Sequence, residues 1–424
     1  MIFRAICLAA LLFVHGVLVH GPARAEPLPA NAGFAPKLII YPARGQANSC
    51  GPGCDHWIAV EGMVDQAAAT RIGHFLRAMK DKERPIYFHS PGGVVEPAYV
   101  IGRMLRSRKV VARVGRTIVS ACAAGTQVDD ACLKIKTGGG EVEAEISTYH
   151  AMCNSACGYL FLGATTREVA PDAALAVHSS KLTLVVHGHP PPQLVAAYRE
   201  RSMARADHER ALFIQAMGIS RDLNDLIKTV KFENLHVLER PELYRFGIDT
   251  RTMVETDWTL DNAARPYIRK IVVAKRNDGA SFRTMEWRLF CENKDRARLI
   301  FAREFDKGAA GTSSVILMAG SVKPVTFDTT PARIGTYEAW SGTIASGAIK
   351  SMLSAPHLQL GEGTLAPDGK TNQEILDIGT TGLEPAWSRL FESCPAAPTN
   401  EKPVMATPSL AGAPAPREAA PQRP

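Results

Sequence analysis

The sequence has no dense run of lysine or arginine and, after its first 25 residues, no long apolar segment. The first absence argues against nucleic acid as a partner, because a formal net charge of +7 over 424 residues is a modest basic excess. The second argues against a later membrane-spanning helix, which needs about 20 apolar residues. With 46% hydrophobic and 21% charged residues, the composition is that of a globular protein long enough for two or three domains.

The first 25 residues have the three parts of a secretory signal peptide. Arg4 is the positive start, residues 5–19 are apolar apart from His15, and residues 23–25 (Ala-Arg-Ala) form a small-residue cleavage site. An uncleaved membrane anchor is the alternative, but the apolar stretch is short for a spanning helix of about 20 residues. We therefore expect cleavage after Ala25 and a periplasmic or secreted mature protein.

Export would place the cysteines in an oxidising compartment, where disulfides form. Removal of Cys7 with the signal peptide leaves eight cysteines, an even number that permits full pairing. Cys153 and Cys157 can pair with each other or with more distant partners. The remaining six form three plausible pairs, Cys50–Cys54, Cys122–Cys132 and Cys291–Cys394.

Strand-like and helical patterns alternate over residues 35–252. For example, Ala68, Ile72 and Phe75 recur at spacings of three and four between two short apolar runs, which predicts an amphipathic helix between strands. This alternation predicts an α/β fold with a largely parallel sheet. Residues 115–143 interrupt it with two cysteines and three consecutive glycines. We interpret them as an insertion, which is either a lid over the site or decoration away from it.

The character of the sequence changes after residue 262. Short apolar runs separated by Gly, Asp and Asn turns predict a small β-rich domain, a sandwich for example, over residues 265–395. Residues 396–424 are rich in proline and alanine and poor in large apolar side chains. Such a segment cannot bury enough surface to order itself, so we predict a disordered tail.

Three segments, in a fixed order, carry residue types suited to acyl transfer. A strand runs into residues 89–93 (HSPGG), an uncharged stretch follows at residues 151–166 around Ser155, and a later strand ends at His178. The ordered set resembles the proteolytic subunit of Clp proteases and its crotonase-like relatives, and most closely exported bacterial proteins with such a domain. The resemblance covers residues 35–252 and implies a Clp/crotonase-like ββα superhelix domain.

The resemblance also implies roles for individual residues. Ser155 takes the position of the nucleophile, and His178 takes that of the general base that a serine hydroxyl needs. The backbone amides of Gly93 (or Gly92) and Ala156 would be the two donors that stabilise an oxyanion. Taken alone, Ser155 would more simply cap a helix.

The third member of the triad has no clear counterpart in this chain. The family places an aspartate ahead of a Pro-Glu-containing helix, and the matching position here falls near Lys231. Glu233 and Asn234 are the neighbouring candidates to orient His178, and Asp225 is a more distant one.

The leading interpretation is an exported serine hydrolase, in particular a peptidase acting on peptides or proteins through Ser155 and His178. The alternative is a catalytically inactive Clp-like scaffold that acts as a binding or assembly protein in the cell envelope. Acyl-coenzyme A chemistry is disfavoured, because such esters are not expected outside the cytoplasm.

No cofactor is expected for either the hydrolase or the inactive scaffold. His150, Cys153 and Cys157 have spacings that zinc can use, but the even cysteine count favours disulfides, so no metal is predicted. The ATPase partner of Clp proteases is not expected where ATP is lacking, and the fold permits a homo-oligomer.

Overall fold

The computed structural model describes residues 34–182, 188, 190–276, 279–304, 313–318, 325–327, 331–365 and 371–396. The predicted signal peptide and residues 397–424 of the predicted tail lie outside this part of the chain. The protein is a mixed α/β chain with several sheets. Within the described ranges, no helix combines the length and apolarity needed to cross a membrane.

The first part of the chain alternates strands and helices as the sequence pattern predicts. Its strands are β1 Ile39–Arg44, β2 His56–Glu61, β3 Ile86–His89, β4 Val111–Val114, β5 Arg116–Val119, β6 Val142–Ser147, β7 Met152–Asn154, β8 Thr166–Glu168, β9 Ala174–Val177 and β10 His236–Val237. Its helices are α1 Ala68–Ala78, α2 Val95–Ser107, α3 Asp130–Lys136, α4 Ala156–Leu162, α5 Pro192–Ala216, α6 Asp222–Thr229 and α7 Arg240–Arg245.

A seven-stranded sheet in the order β5-β6-β1-β2-β3-β4-β8 forms the centre of this part. The run β2-β3-β4-β8 is parallel, and β1 pairs antiparallel with β2. Side chains alternate between the two faces, as the period of a strand requires. Ile58 and Phe88 pack into a large cluster with α1, α2 and α4, whereas Trp57 and Tyr87 pack into a smaller cluster on the other face.

The insertion at residues 115–143 contains regular structure, which its sequence did not predict. It forms β5 and α3, and a disulfide joins Cys122 to Cys132. Cys132 packs in the smaller cluster, on the sheet face opposite the one that carries α4. The ammonium of Lys136, which is 1% exposed, donates to the carboxylate of Glu61 at the end of β2.

The second part of the chain is rich in strands. They are β11 Met253–Glu255, β12 Thr259–Asp261, β13 Tyr267–Lys275, β14 Phe282–Asn293, β15 Arg296–Glu304, β16 Ser313–Met318, β17 Val325–Thr326, β18 Ala332–Ile334, β19 Tyr337–Ala345, β20 His357–Leu365 and β21 Thr371–Gly379. Two helices accompany them, α8 Ser346–Ser354 and α9 Leu383–Glu392.

These strands form two sheets around a hydrophobic cluster of their own. One sheet contains β11, β13, β14, β15, β19 and β18, with β12 paired to β13, and the other contains β17, β16, β20 and β21. Trp287 and Trp340 belong to this cluster, where both lie against Phe301, and Leu390 of α9 is also a member. Because β11 and β12 pair with β13, this sheet begins at Met253.

The described residues form four disulfides. They join Cys50 to Cys54, Cys122 to Cys132, Cys153 to Cys157, and Cys291 to Cys394. The open question for Cys153 and Cys157 is therefore answered by a local pair. Four disulfides are typical of a protein that folds in an oxidising compartment.

Candidate functional site

Parallel pairing of two short strands brings Ser155 and His178 to the same edge of a sheet. Strands β7 and β9 run in parallel with Asn154 opposite Ala176, within the small sheet β10-β9-β7. Ser155 is the first residue after β7, and His178 is the first after β9. Carboxyl ends of parallel strands are where α/β proteins place their ligand sites.

The backbone of Ser155 is in an uncommon conformation. Its φ is +55° and its ψ is −123°, at the single residue that joins β7 to α4. A residue with a side chain is strained there, and such strain is concentrated at functional sites. The Ser155 side chain makes no capping hydrogen bond, which removes the simple interpretation as a helix cap. A serine on a sharp strand-to-helix turn is also the geometry of nucleophile elbows.

The glycine loop after β3 lies directly against this turn. Ser90 pairs with Cys153 through two main-chain bonds, Ser90 N–H to Met152 O at 2.8 Å and Asn154 N–H to Ser90 O at 3.0 Å. A Cβ at Gly92 would lie 2.7 Å from the Ser155 Cβ and 3.1 Å from the Ala156 nitrogen. Only glycine can approach so closely, so the loop requires Gly92.

Two backbone amides in this corner have no hydrogen-bond partner among the described residues. The Gly93 N–H is one, and the Ala156 N–H at the start of α4 is the other. The Gly92 N–H is already engaged, since it donates to the Ser90 hydroxyl at 3.1 Å. Of the two glycines expected to supply an oxyanion donor, the structure therefore leaves Gly93 available.

His178 is half-buried, and its surroundings favour the neutral imidazole. Burial lowers its pKa, against smaller opposing effects from the Phe232 carbonyl and the Glu233 carboxylate. The Nδ1 atom is buried and has no hydrogen-bond partner among the described residues. A neutral histidine is the form that can accept a proton from serine.

No described carboxylate or amide side chain is hydrogen-bonded to His178. Glu233 and Asn234 lie exposed after α6, and the Asn234 N–H closes a turn onto the Lys231 carbonyl. Asp225 is exposed and pairs with Lys228 at 3.1 Å. Glu233 acts on His178 only through its charge, so a third triad member is not formed by any of these residues.

Ser155 and His178 line one small pocket that opens to solvent and has a cavity volume of about 20 Å³. Ser180 and the apolar side chains of Val95, Leu162 and Ile227 contribute to its walls. No residue of the 115–143 insertion lines it. This volume has room for about one water molecule next to the serine.

Two supporting residues were not assigned a role from sequence. Ser90 holds the Gly92 amide, and His89 Nδ1 accepts the Met152 N–H at 3.2 Å. Burial, with the nearby charges of Arg116 and Lys136, lowers the pKa of His89 to about 3, so the ring stays neutral and Nδ1 remains an acceptor. The Ser-x-Gly spacing, typical of a serine turn, is the sequence signal that could have identified Ser90.

Metal binding finds no support in the described part of the chain. No cluster of three His, Cys, Asp or Glu side chains there could hold an ion. Cys153 and Cys157, two of the three residues considered for zinc, are consumed by their disulfide.

No protein-family model matches the sequence, and no curated protein matches it. Among solved structures, invasion associated protein B from Bartonella henselae aligns with a TM-score of 0.24 and 13% identity, over 33% of this chain and 92% of that one. A serine-to-alanine mutant of a membrane-bound stomatin-specific protease aligns with a TM-score of 0.26 and 12% identity, over 44% and 73%. The geometry of the site itself is therefore the basis for a function.

Proposed function

We propose that this chain is an exported serine hydrolase of the Clp-like type, with Ser155 as nucleophile and His178 as general base. The observation that carries the proposal is the strained backbone of Ser155, at a φ of +55°, in the same pocket as His178. With a ψ of −123°, Ser155 also lies outside the left-handed helical region, and strain of this kind, about 1–3 kcal/mol, is concentrated at functional sites.

The reaction begins when His178 accepts the hydroxyl proton of Ser155 as the oxygen attacks a carbonyl carbon. The negative charge that forms on the carbonyl oxygen meets the free N–H groups of Gly93 and Ala156. Collapse of this intermediate expels the leaving group, which takes the proton from His178. Water then releases the acyl group from Ser155 by the same steps.

Peptides or proteins are the substrate class that we propose. The Clp-like order of the glycine loop, Ser155 and His178 supports this class. Apolar side chains in the wall of the pocket can contact a peptide that is bound next to the serine. Cleavage of a quenched fluorescent peptide library by the wild type, and not by Ser155→Ala, is the expected result.

The first test is covalent labelling of the purified protein with a fluorophosphonate probe. We expect labelling of the wild type and of Ser180→Ala, which removes another serine of the same pocket. Ser155→Ala and His178→Ala should remain unlabelled. Equal labelling of Ser155→Ala and the wild type would eliminate Ser155 as the nucleophile.

An inactive scaffold is the second candidate, and one observation favours it. The buried Nδ1 of His178 has no hydrogen-bond partner, whereas an active triad orients that atom. This candidate predicts that the folded wild type does not react with the probe and that Ser155→Ala behaves like wild type in a cell-envelope assay. Loss of function in Ser155→Ala cells would contradict it.

A further inference from the structure

Ser155 is the central residue of a loop that a disulfide closes. Cys153 lies in β7, Cys157 lies in the first turn of α4, and their Cα atoms are 5.1 Å apart. Both cysteines are 0% exposed. The crosslink therefore spans the single-residue turn at which the chain leaves the strand and enters the helix.

Two main-chain hydrogen bonds hold this turn, one at its strand end and one at its helix end. The Ser155 N–H donates to the Ala176 carbonyl at 2.8 Å, and the Gly158 N–H donates to the Ser155 carbonyl at 2.9 Å. The first bond ties the turn to β9, and the second belongs to the helix. A strained residue persists only where its surroundings over-determine it. The disulfide adds a covalent link between the strand end and the helix start to the packing of α4 on β7 and β9.

The crosslink also reaches the oxyanion donors. Cys153 pairs with Ser90, which is two residues before Gly92 of the glycine loop, and Cys157 follows Ala156 on the helix. The disulfide thus connects the strand beside one free amide to the helix that carries the other. Ser155 lies between the two.

We propose that Cys153 and Cys157 are positioning residues, whose disulfide holds Ser155 in its strained conformation against the glycine loop. This inference rests on the proposed hydrolase function. Since both sulfur-bearing residues are buried, the bond acts as a permanent part of the site and not as a switch exposed to thiols.

The test compares two disulfides of equal loop length. Cys50–Cys54 also has a sequence separation of 4, and it lies outside the pocket. The pair Cys153→Ala with Cys157→Ala is compared with the pair Cys50→Ala with Cys54→Ala, and both with the wild type. The readout is the second-order rate constant of fluorophosphonate labelling, taken from time courses normalised to their own end points so that unfolded protein lowers the amplitude only.

We expect the Cys153/Cys157 pair to label about 10- to 100-fold more slowly, the effect of small misplacements of reacting groups, and the control pair to label like the wild type. The pH midpoint of labelling should be unchanged in both, because His178 is untouched. A general loss of structure would move the midpoint or slow both pairs equally, and either result would overturn the proposal.

The remaining outcomes are equally decisive. Equal rates for the Cys153/Cys157 pair and the wild type would overturn the proposal and leave the hydrolase function standing. A wild type that does not label would instead remove the hydrolase function itself. The double variant with Cys153→Ser and Cys157→Ser repeats the measurement with a different replacement. If neither the alanine nor the serine variant of Cys153 and Cys157 folds, the disulfide serves the stability of the whole domain and the positioning role is wrong.

Discussion

Ser155 donates its main-chain N–H to the carbonyl oxygen of Ala176 at 2.8 Å. This bond fastens the turn that carries the proposed nucleophile to the strand that ends one residue before His178. The separation of the two side chains is therefore governed by backbone pairing within one small sheet. The rate of labelling depends on this separation, so it should respond to changes in the backbone as strongly as to changes in the side chains.

The pH dependence of labelling should report the histidine. Burial holds the pKa of His178 below its ordinary value of 6.5, and the neutral ring is the form that accepts the serine proton. The labelling rate should therefore rise with pH, pass its midpoint below pH 6.5, and be level at pH 7. Rate constants measured between pH 4 and 8 provide the check. A midpoint above pH 6.5 would show that burial does not lower the pKa of His178.

Replacing Glu233 tests the same pH dependence at a single charged residue. Its charge raises the pKa of His178, so Glu233→Gln should move the midpoint to lower pH and leave the level rate nearly unchanged. Asn234→Ala, at the adjacent exposed position, is the matched control and should leave the midpoint in place. If Glu233→Gln instead abolished labelling at every pH, Glu233 would be a true third member of the triad.

Gly92→Ala should damage both stability and reactivity. Its φ is +103°, and the added methyl would lie 2.7 Å from the Asn154 carbonyl oxygen and from the Ser155 Cβ. We expect a loss of about 1–3 kcal/mol in the free energy of unfolding. Displacement of Ser155 should also slow labelling by about 100-fold.

Gly125→Ala is the control for this substitution. An added methyl at Gly125 meets nothing within 4 Å, and its φ is not positive. Its stability should stay within about 0.5 kcal/mol of the wild type, as for most surface changes. Urea unfolding and probe labelling of both variants give the comparison, and similar losses in the two would show that the clash at Gly92 is not the cause.

The order of the site elements was readable from sequence because it depends on chain order and local turns. A strand running into Gly-Gly, a serine opening an uncharged stretch and a histidine at a strand end are all local patterns. The structure brings Ser155, His178 and the glycine loop to one corner, and their catalytic roles stay a prediction. Glu233 and Asn234, inferred by counting along the chain, are not hydrogen-bonded to His178.

Other features depend on contacts distant in sequence and could not be read in this way. Eight cysteines permit on the order of 100 pairings, so the disulfide around Ser155 was one option among many. Lys136 is buried because Glu61, 75 residues away, neutralises it. Lysine is rarely buried without such a partner, and no local pattern reveals the partner. The positive φ of Ser155 likewise lies in a turn that is bonded to Ala176 of β9, a contact that no local pattern reveals.

Replacing Ser155 by glycine should separate stability from function. Glycine adopts a φ of +55° without strain, whereas alanine at this position remains strained. Relief of about 1–3 kcal/mol of strain, less glycine's own entropic cost of about 0.5–1 kcal/mol, should leave Ser155→Gly more stable than Ser155→Ala by about 1 kcal/mol. Neither variant should label. Urea unfolding is the measurement, and equal or reversed stabilities would mean that the turn is not strained.

Asp249 should be the most sensitive acidic residue for the stability of the first part of the chain. Its carboxylate, 1% exposed, accepts the Val169 N–H at 2.9 Å and also pairs with Arg240 and Arg251. Asp249→Asn keeps the shape but leaves the buried guanidinium of Arg240 without its counter-charge. Removing one partner of a buried pair costs about 3–5 kcal/mol. Asp225→Asn, which breaks an exposed pair with Lys228, should cost at most about 1 kcal/mol.

The lowered pKa of Asp249 predicts how the difference in unfolding free energy between the wild type and Asp249→Asn changes with pH. Hydrogen bonds and ion pairs to Arg251 and Arg240 outweigh burial and hold the pKa of Asp249 well below its usual range. A group with a lowered pKa in the folded state stabilises the protein above its unfolded pKa of about 3.9, and that contribution is lost as the pH falls below it. The gap in unfolding free energy between wild type and Asp249→Asn should therefore be full at pH 7 and smaller at pH 3. A gap that did not shrink on acidification would show that packing, and not charge, makes Asp249 important.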